Sequence, residues 1–188
     1  MKKILAVLGL FFSLQSQAAL LSVELDNTSY QQGDVISASI WMSDLNTSLA
    51  GFNLDLWFQS TSLAFDSISF GNYLTVFDAT DKYSQATGNM LNFSEMNNDA
   101  LYWELADAQI TPDNRFQLAT ISFIAKKAGA FVLSFDKVEL TDGWGDEIPA
   151  NDFQISNASG TIEGTQDVPA PTPLLLLAPA LLWLARRR

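Results

Sequence analysis

The sequence has no cysteine and no histidine. Without either, no thiol nucleophile, no Ser-His-Asp triad and no zinc site built on imidazole or thiolate can form. No disulfide supports the fold. Basic residues are scarce, ten Lys and Arg against 21 Asp and Glu. Five of the ten, Lys2, Lys3, Arg186, Arg187 and Arg188, sit at the two ends, so residues 19–167 hold every acid and only Lys82, Arg115, Lys126, Lys127 and Lys137. Nucleic-acid binding draws on basic side chains, so this composition excludes that partner. It suits solubility, salt-rich water or bound divalent cations. No apolar run reaches the ~20 residues that span a bilayer.

Both ends nevertheless carry short apolar runs. Lys2 and Lys3 precede Ile4–Phe12, and a polar stretch with small residues follows. That is the order of a secretory signal peptide, with Ser16 and Ala18 as the small pair before the cut. We expect signal peptidase to cleave after Ala18 or one residue later. At the other end, twelve residues from Leu174 to Ala185 are interrupted by Pro179 and closed by Arg186, Arg187 and Arg188. At about 1.5 Å per residue a helix of that length covers roughly 18 Å. Such a tail pauses a translocating chain but anchors it poorly, and the arginines hold it on the cytoplasmic side.

Val168-Pro169-Ala170-Pro171, then the apolar run, then the arginine cluster, resembles the PEP-CTERM sorting signal of Gram-negative bacteria. Alanine at position 170 stands where that signal has glutamate. The resemblance implies an exosortase-type sorting enzyme as a partner, transient membrane association through the tail, and delivery to the cell surface or extracellular matrix. The expected division is a signal peptide at 1–18, one β-sandwich domain at 19–164, a Pro-rich linker and sorting motif at 165–173, and the hydrophobic segment with its arginines at 174–188.

The middle alternates with period two, the mark of half-buried strands. Ile36, Ala38, Ile40 and Met42 alternate with Ser37, Ser39 and Trp41; Phe52, Leu54, Leu56 and Phe58 alternate with Asn53, Asp55 and Trp57. Ala119–Ala125 and Phe131–Phe135 repeat the pattern. Further strands are expected at Leu21–Leu25, Leu63–Phe70, Met90–Met96, Leu101–Leu105 and Phe153–Ile162. Parity changes within Leu63–Phe70, which predicts a bulge or a switch between sheets. Residues 72–88 are polar and irregular, and read as a long loop or short helix. Turn residues separate the strands at Gln32-Gly33-Asp34, Gly71-Asn72, Asn97-Asn98-Asp99, Thr111-Pro112-Asp113-Asn114 and Ala128-Gly129. The expected fold is all-β, a two-sheet sandwich of about nine strands, with a signal helix before it and a short hydrophobic helix after it.

Gly33-Asp34, Gly51–Phe58, Leu63–Ile68, and Leu118–Phe123 followed by Gly129 resemble the cohesin family. That resemblance implies a jelly roll related in fold to carbohydrate-binding modules, and binding of dockerin modules through one sheet face. Where dockerin-binding cohesins carry Tyr-Asp-Pro, this chain has Phe58-Gln59-Ser60. Gln59 cannot supply the aspartate's charge.

Trp41, Trp57 and Asp55 fall on the polar parity of their strands and are the candidate ligand-binding residues. Exposed tryptophans stack on sugar rings or anchor a protein partner. Asp142, Asp146 and Glu147 surround Gly143 and Gly145, and are candidate calcium ligands on a flexible loop. Their spacing is not that of an EF-hand. Asp78 with Asp81, and Asn98 with Asp99, are further oxygen clusters. Glu104 is the only acid in 101–105 and nothing marks a glycosidase partner for it. Four Asn-x-Ser/Thr triplets, at Asn27, Asn46, Asn92 and Asn157, carry no further signal. The function expected is that of an exported, non-catalytic binding or adhesion module for an extracellular protein or polysaccharide, needing no cofactor beyond possible calcium. A carbohydrate-binding module using its exposed tryptophans, and a secreted glycan hydrolase, are the alternatives.

Overall fold

A computed structural model describes residues 18–77 and 80–164. Residues 1–17 of the expected signal peptide, Asp78, the sorting residues Val168, Pro169, Ala170 and Pro171, and the hydrophobic segment 174–188 with Arg186, Arg187 and Arg188 lie outside the described residues. Eleven strands form among those described: β1 (Ala19–Leu25), β2 (Ser29–Gln31), β3 (Val35–Ser43), β4 (Leu49–Phe58), β5 (Leu63–Phe70), β6 (Thr80–Thr87), β7 (Met90–Asn97), β8 (Arg115–Ala125), β9 (Gly129–Asp142), β10 (Phe153–Ser156) and β11 (Ala158–Glu163). One helix, α1 (Tyr102–Ala108), joins β7 to β8. No helix among the described residues is long and apolar enough to cross a membrane.

The strands make two mixed sheets. The first has five strands in the order β10-β1-β3-β8-β5 and the second six in the order β2-β11-β9-β4-β7-β6. Pairing is antiparallel except where β10 runs parallel to β1 and β11 parallel to β2. The inner strands turn their apolar parity inward. Ile36, Ala38, Ile40 and Met42 of β3 and Phe52, Leu54, Leu56 and Phe58 of β4 are all buried. They meet across the interior, with Phe58 against Phe123 at 5.1 Å and Phe52 against Phe70 at 6.3 Å between ring centroids. Burying each of the Ile, Leu, Met and Phe side chains contributes ~1.5–3 kcal/mol.

The expected bulge in Leu63–Phe70 is present, as a register shift between Phe65 and Ser67. Three expectations are corrected. The segment Leu101–Leu105 is not a strand: Leu105 points into the core from α1, and the Glu104 carboxylate accepts the Leu101 N–H at 2.8 Å. Five residues are too few to separate period 2 from period 3.6. Within 72–88, residues 80–87 form β6, an edge strand exposed along nearly its whole length, so it lacks the apolar alternation that marks a strand. The stretch Phe153–Ile162 is two strands in different sheets, divided at Asn157, whose side-chain oxygen accepts the Phe135 N–H at 3.2 Å. With β2, these divisions raise about nine strands to eleven.

The gap between the sheets at β6 and β5 is closed by charge. Glu95 of β7 faces inward, 1% exposed, and pairs with Lys82 of β6 at 3.3 Å. The Lys82 ammonium lies 5.8 Å from the Phe70 ring centroid. Burial pushes the Glu95 carboxyl above its ordinary 4.5, outweighing the attraction of Lys82. A carboxyl that holds its proton more tightly when folded adds stability below its unfolded pKa, and loses it as pH rises through the folded value. We therefore expect Glu95→Gln, which keeps an oxygen acceptor but cannot ionise, to melt higher than the parent at pH 7. The gap should close as the pH is lowered to about 4. Thermal unfolding across that range checks it; a gap independent of pH would show that Glu95 does not titrate there.

Candidate functional site

The outward face of the six-stranded sheet is built by the parity that the core rejects. β4 contributes Gly51, Asn53, Asp55 and Trp57. Opposite them in register stand Met96, Ser94, Asn92 and Met90 of β7 on one side, and Thr141, Glu139, Lys137 and Ser134 of β9 on the other. A bulge between Asp55 and Leu56 keeps the β9 side chains in step.

A polar network crosses these three strands. The Lys137 ammonium donates to Glu139 at 2.7 Å, and the Asn53 amide donates to the other Glu139 oxygen at 2.8 Å. The Asn92 amide donates to the Asn53 oxygen at 2.9 Å and to Asp55 at 2.7 Å. The hydrogen bond from Lys137, then that from Asn53, holds the Glu139 carboxyl below its usual range. The same bond to Glu139 holds the Lys137 ammonium above its own. Beside the network a hollow of about 400 Å³ opens between Asn53, Asn92, Ser94, Met96, Glu139 and Thr141, and the Met96 thioether lies over Gly51. Trp57 and Met90 give the opposite end of the face an apolar surface. The arrangement has fixed donors and acceptors, a recess and an aromatic anchor, which equips it for recognition. It presents no nucleophile paired with a base.

Asp55 and Trp57 therefore lie together on this face. Trp41 does not join them. It belongs to β3, in the five-stranded sheet, and faces outward on the far side of the sandwich. There the Arg115 guanidinium lies over its ring at 4.1 Å, held by Glu24 at 2.6 Å. The two tryptophans form no shared platform. Parity tells which side of a strand a residue occupies, not which sheet the strand enters.

Asp142 closes a tight turn. Its side-chain oxygen accepts the Trp144 N–H at 2.8 Å and the Asp146 N–H at 3.0 Å, and Gly145 takes the left-handed conformation at φ 88°. Asp146 and Glu147 are exposed. Among the described residues no group of three acidic side chains converges. Gln59 sits in the turn after β4, where its carbonyl accepts the Ser62 and Leu63 N–H groups at 2.9 Å each.

Sequence reasoning missed Asn53, Asn92, Lys137 and Glu139 as a unit. Each is an ordinary polar residue on its strand. Only the register of β9, β4 and β7 brings them together.

No protein-family model matches the chain, and no match was found among curated proteins. The fold is similar to a type II cohesin domain from the cellulosome of Acetivibrio cellulolyticus, with TM-score 0.63 and 17% identity over 76% of this chain and 95% of that one. It is similar to a type II cohesin in a complex with an X-dockerin from the same organism, at TM-score 0.64 and 14% identity over 77% and 99%. A non-cellulosomal cohesin from the archaeon Archaeoglobus fulgidus gives TM-score 0.57 and 12% identity over 80% and 94%. At these identities the likeness establishes the fold, a cohesin-like jelly roll.

The Asp142 geometry separates a turn from a calcium site. Asp142→Asn keeps the accepting oxygen and should leave stability within about 0.5 kcal/mol. Asp142→Ala should cost about 1 kcal/mol. Urea unfolding with and without a chelator checks both. If calcium is the reason for the carboxylate, the Asn variant will lose as much as the Ala variant, and chelator will erase the difference.

Proposed function

We propose that this chain is an exported, non-catalytic binding module that holds a protein partner through the outward face of its six-stranded sheet. The signal peptide takes it across the inner membrane. The tail, with Val168, Pro169, Ala170 and Pro171 and the arginines 186–188, presents it to an exosortase-type enzyme and leaves it at the cell surface or in the extracellular matrix.

The observation that carries the reading is the network from Lys137 through Glu139, Asn53 and Asn92 to Asp55. It holds polar groups in place before any partner arrives, which lowers the ordering cost of association. Trp57, with Met90 and Met96 on the same face, supplies the aromatic and thioether surface that protein interfaces favour. The cohesin crystallised with an X-dockerin supports the same kind of use. Gln59 does not offer a dockerin its usual carboxylate, so the partner is expected to differ in its contacts.

The test immobilises the full chain and exposes it to the host's secreted proteins, beside a Trp57→Ala, Asp55→Lys variant. The expected outcome is a protein retained by the parent and reduced at least tenfold on the variant, with Tm within about 4 °C. Equal retention by both would assign the partner to another surface.

A further inference from the structure

We propose that the pole of the sandwich formed by α1, the β3–β4 loop and the β9–β10 loop binds a neutral polysaccharide, with the Trp144 indole as its stacking platform. This site goes beyond the sheet face, and shares no side chain with the network there.

Trp144 is 68% exposed, yet it is held in place. Its ring stacks on Tyr102 of α1 at 4.6 Å with an interplanar angle of 16°. Its backbone N–H is fixed by Asp142, and that of Gly143 donates to the Ser48 carbonyl at 2.9 Å. A side chain at Gly143 would strike the Ser48 hydroxyl and the Tyr102 ring, so the loop seats only with glycine there. Tyr102 therefore seals one face of the indole and the other faces solvent. A flat, immobile aromatic face of this kind matches the C–H face of a pyranose ring. It also costs little conformational freedom on binding.

Beside the stack runs a cleft of about 210 Å³, lined by Asn46, Thr47, Ser48, Tyr102, Gln109 and Asn114 among others. Ser48 is 3% exposed, and its hydroxyl has no hydrogen-bond partner among the described residues. A buried hydroxyl left in that state costs free energy. A second hollow, of about 330 Å³, lies on the other side of the β3–β4 loop, shares Leu45, Asn46 and Thr47 with the first, and continues to Asn151 and Asp152. Two adjoining hollows beside one platform fit successive units of a chain better than a single small molecule.

The lining selects the chemistry. Amides and hydroxyls supply the polar lining of the first cleft, Asp152 adds a carboxylate to the second, and no Lys or Arg lines either. The carboxylates of Asp146 and Glu147 flank the loop that carries Trp144. Such surroundings repel uronate or sulfated polymers and accept the hydroxyls of neutral ones. The last described residue, Gly164, lies against Ala128, whereas β9 carries the chain from Gly129 there to Asp142 at the Trp144 pole. The platform is thus at the opposite end of the sandwich from Gly164.

The test measures retention of the full chain on insoluble cellulose, chitin and xylan, with alginate and dextran sulfate as anionic controls. The variants are Trp144→Ala, Trp144→Phe and Trp103→Ala. Trp103 is similarly exposed, at 57%, but stands on the outer side of α1 away from the cleft. We expect retention on at least one neutral polymer, a loss of at least tenfold in Trp144→Ala, and partial retention in Trp144→Phe. Trp103→Ala and the sheet-face variant should bind as the parent does. Tryptophan emission should shift on binding in the parent and not in Trp144→Ala. Retention on no neutral polymer, on anionic polymers alone, or unaltered by Trp144→Ala overturns the proposal. So does a protein, rather than a glycan, that depends on Trp144. Because the sheet-face variant is scored separately, either site can fail without the other.

Discussion

The seal between the two sheets is the constraint on which the other features depend. The inner strands turn one parity into the interior, and aromatic contacts such as Phe58 with Phe123 hold the two layers together. Once that side is committed, the opposite parity is free of folding duty. The alternation therefore sorts residues in a single step. What cannot be buried is carried to one of two outer faces, and the loops gather at the poles.

The two outer faces then diverge. On the five-stranded side the outward residues of β3, β5 and β8 are mainly serine, threonine and glutamine, and Trp41 has an arginine laid over it. Its aromatic surface is already partnered. On the six-stranded side the amides of Asn53 and Asn92 link carboxylates on separate strands, while Trp57 has no such cation over its ring among the described residues. Amide–carboxylate bonds hold direction as well as position. The face is preorganised at its polar centre and apolar at its ends, the distribution that lets a few anchors carry most of an interface's energy.

The sequence made the sandwich legible because β3, β4, β7 and β8 each bury one parity and expose the other. Where that physics does not apply, the reading failed. β6 is an edge strand that buries little, so it looked like a loop. α1 is seven residues with one buried side chain, too short to show a helical period. Trp57 with Asp55 was visible as a local pair, whereas the separation of Trp41 from Trp57 was not. The chain crosses from one sheet to the other between β3 and β4, and nothing local to either strand records the crossing. The Tyr102–Trp144 stack joins residues 42 positions apart through a loop and a helix, and the register that would place them is set by the whole β4–β9 ladder.

Charge decides what these surfaces accept. Residues 19–167 hold 21 acidic and five basic side chains, and Lys82, Arg115 and Lys137 are engaged in ion pairs. The remaining carboxylates set up a repulsion between copies that acts over about 8 Å at physiological salt. That repulsion disfavours acidic partners and favours neutral or basic ones. At the sheet face the balance is local: Lys137 is placed between Glu139 and Asp55, one ammonium for two carboxylates. The cluster keeps one negative charge in excess, at the end where Trp57 stands. A partner that brings a basic group to Asp55 while covering Trp57 would neutralise that charge in a site the indole has dried, where the attraction is stronger than in open water. The two kinds of contact would reinforce each other there, so in such an interface neither Asp55 nor Trp57 would have the same value alone.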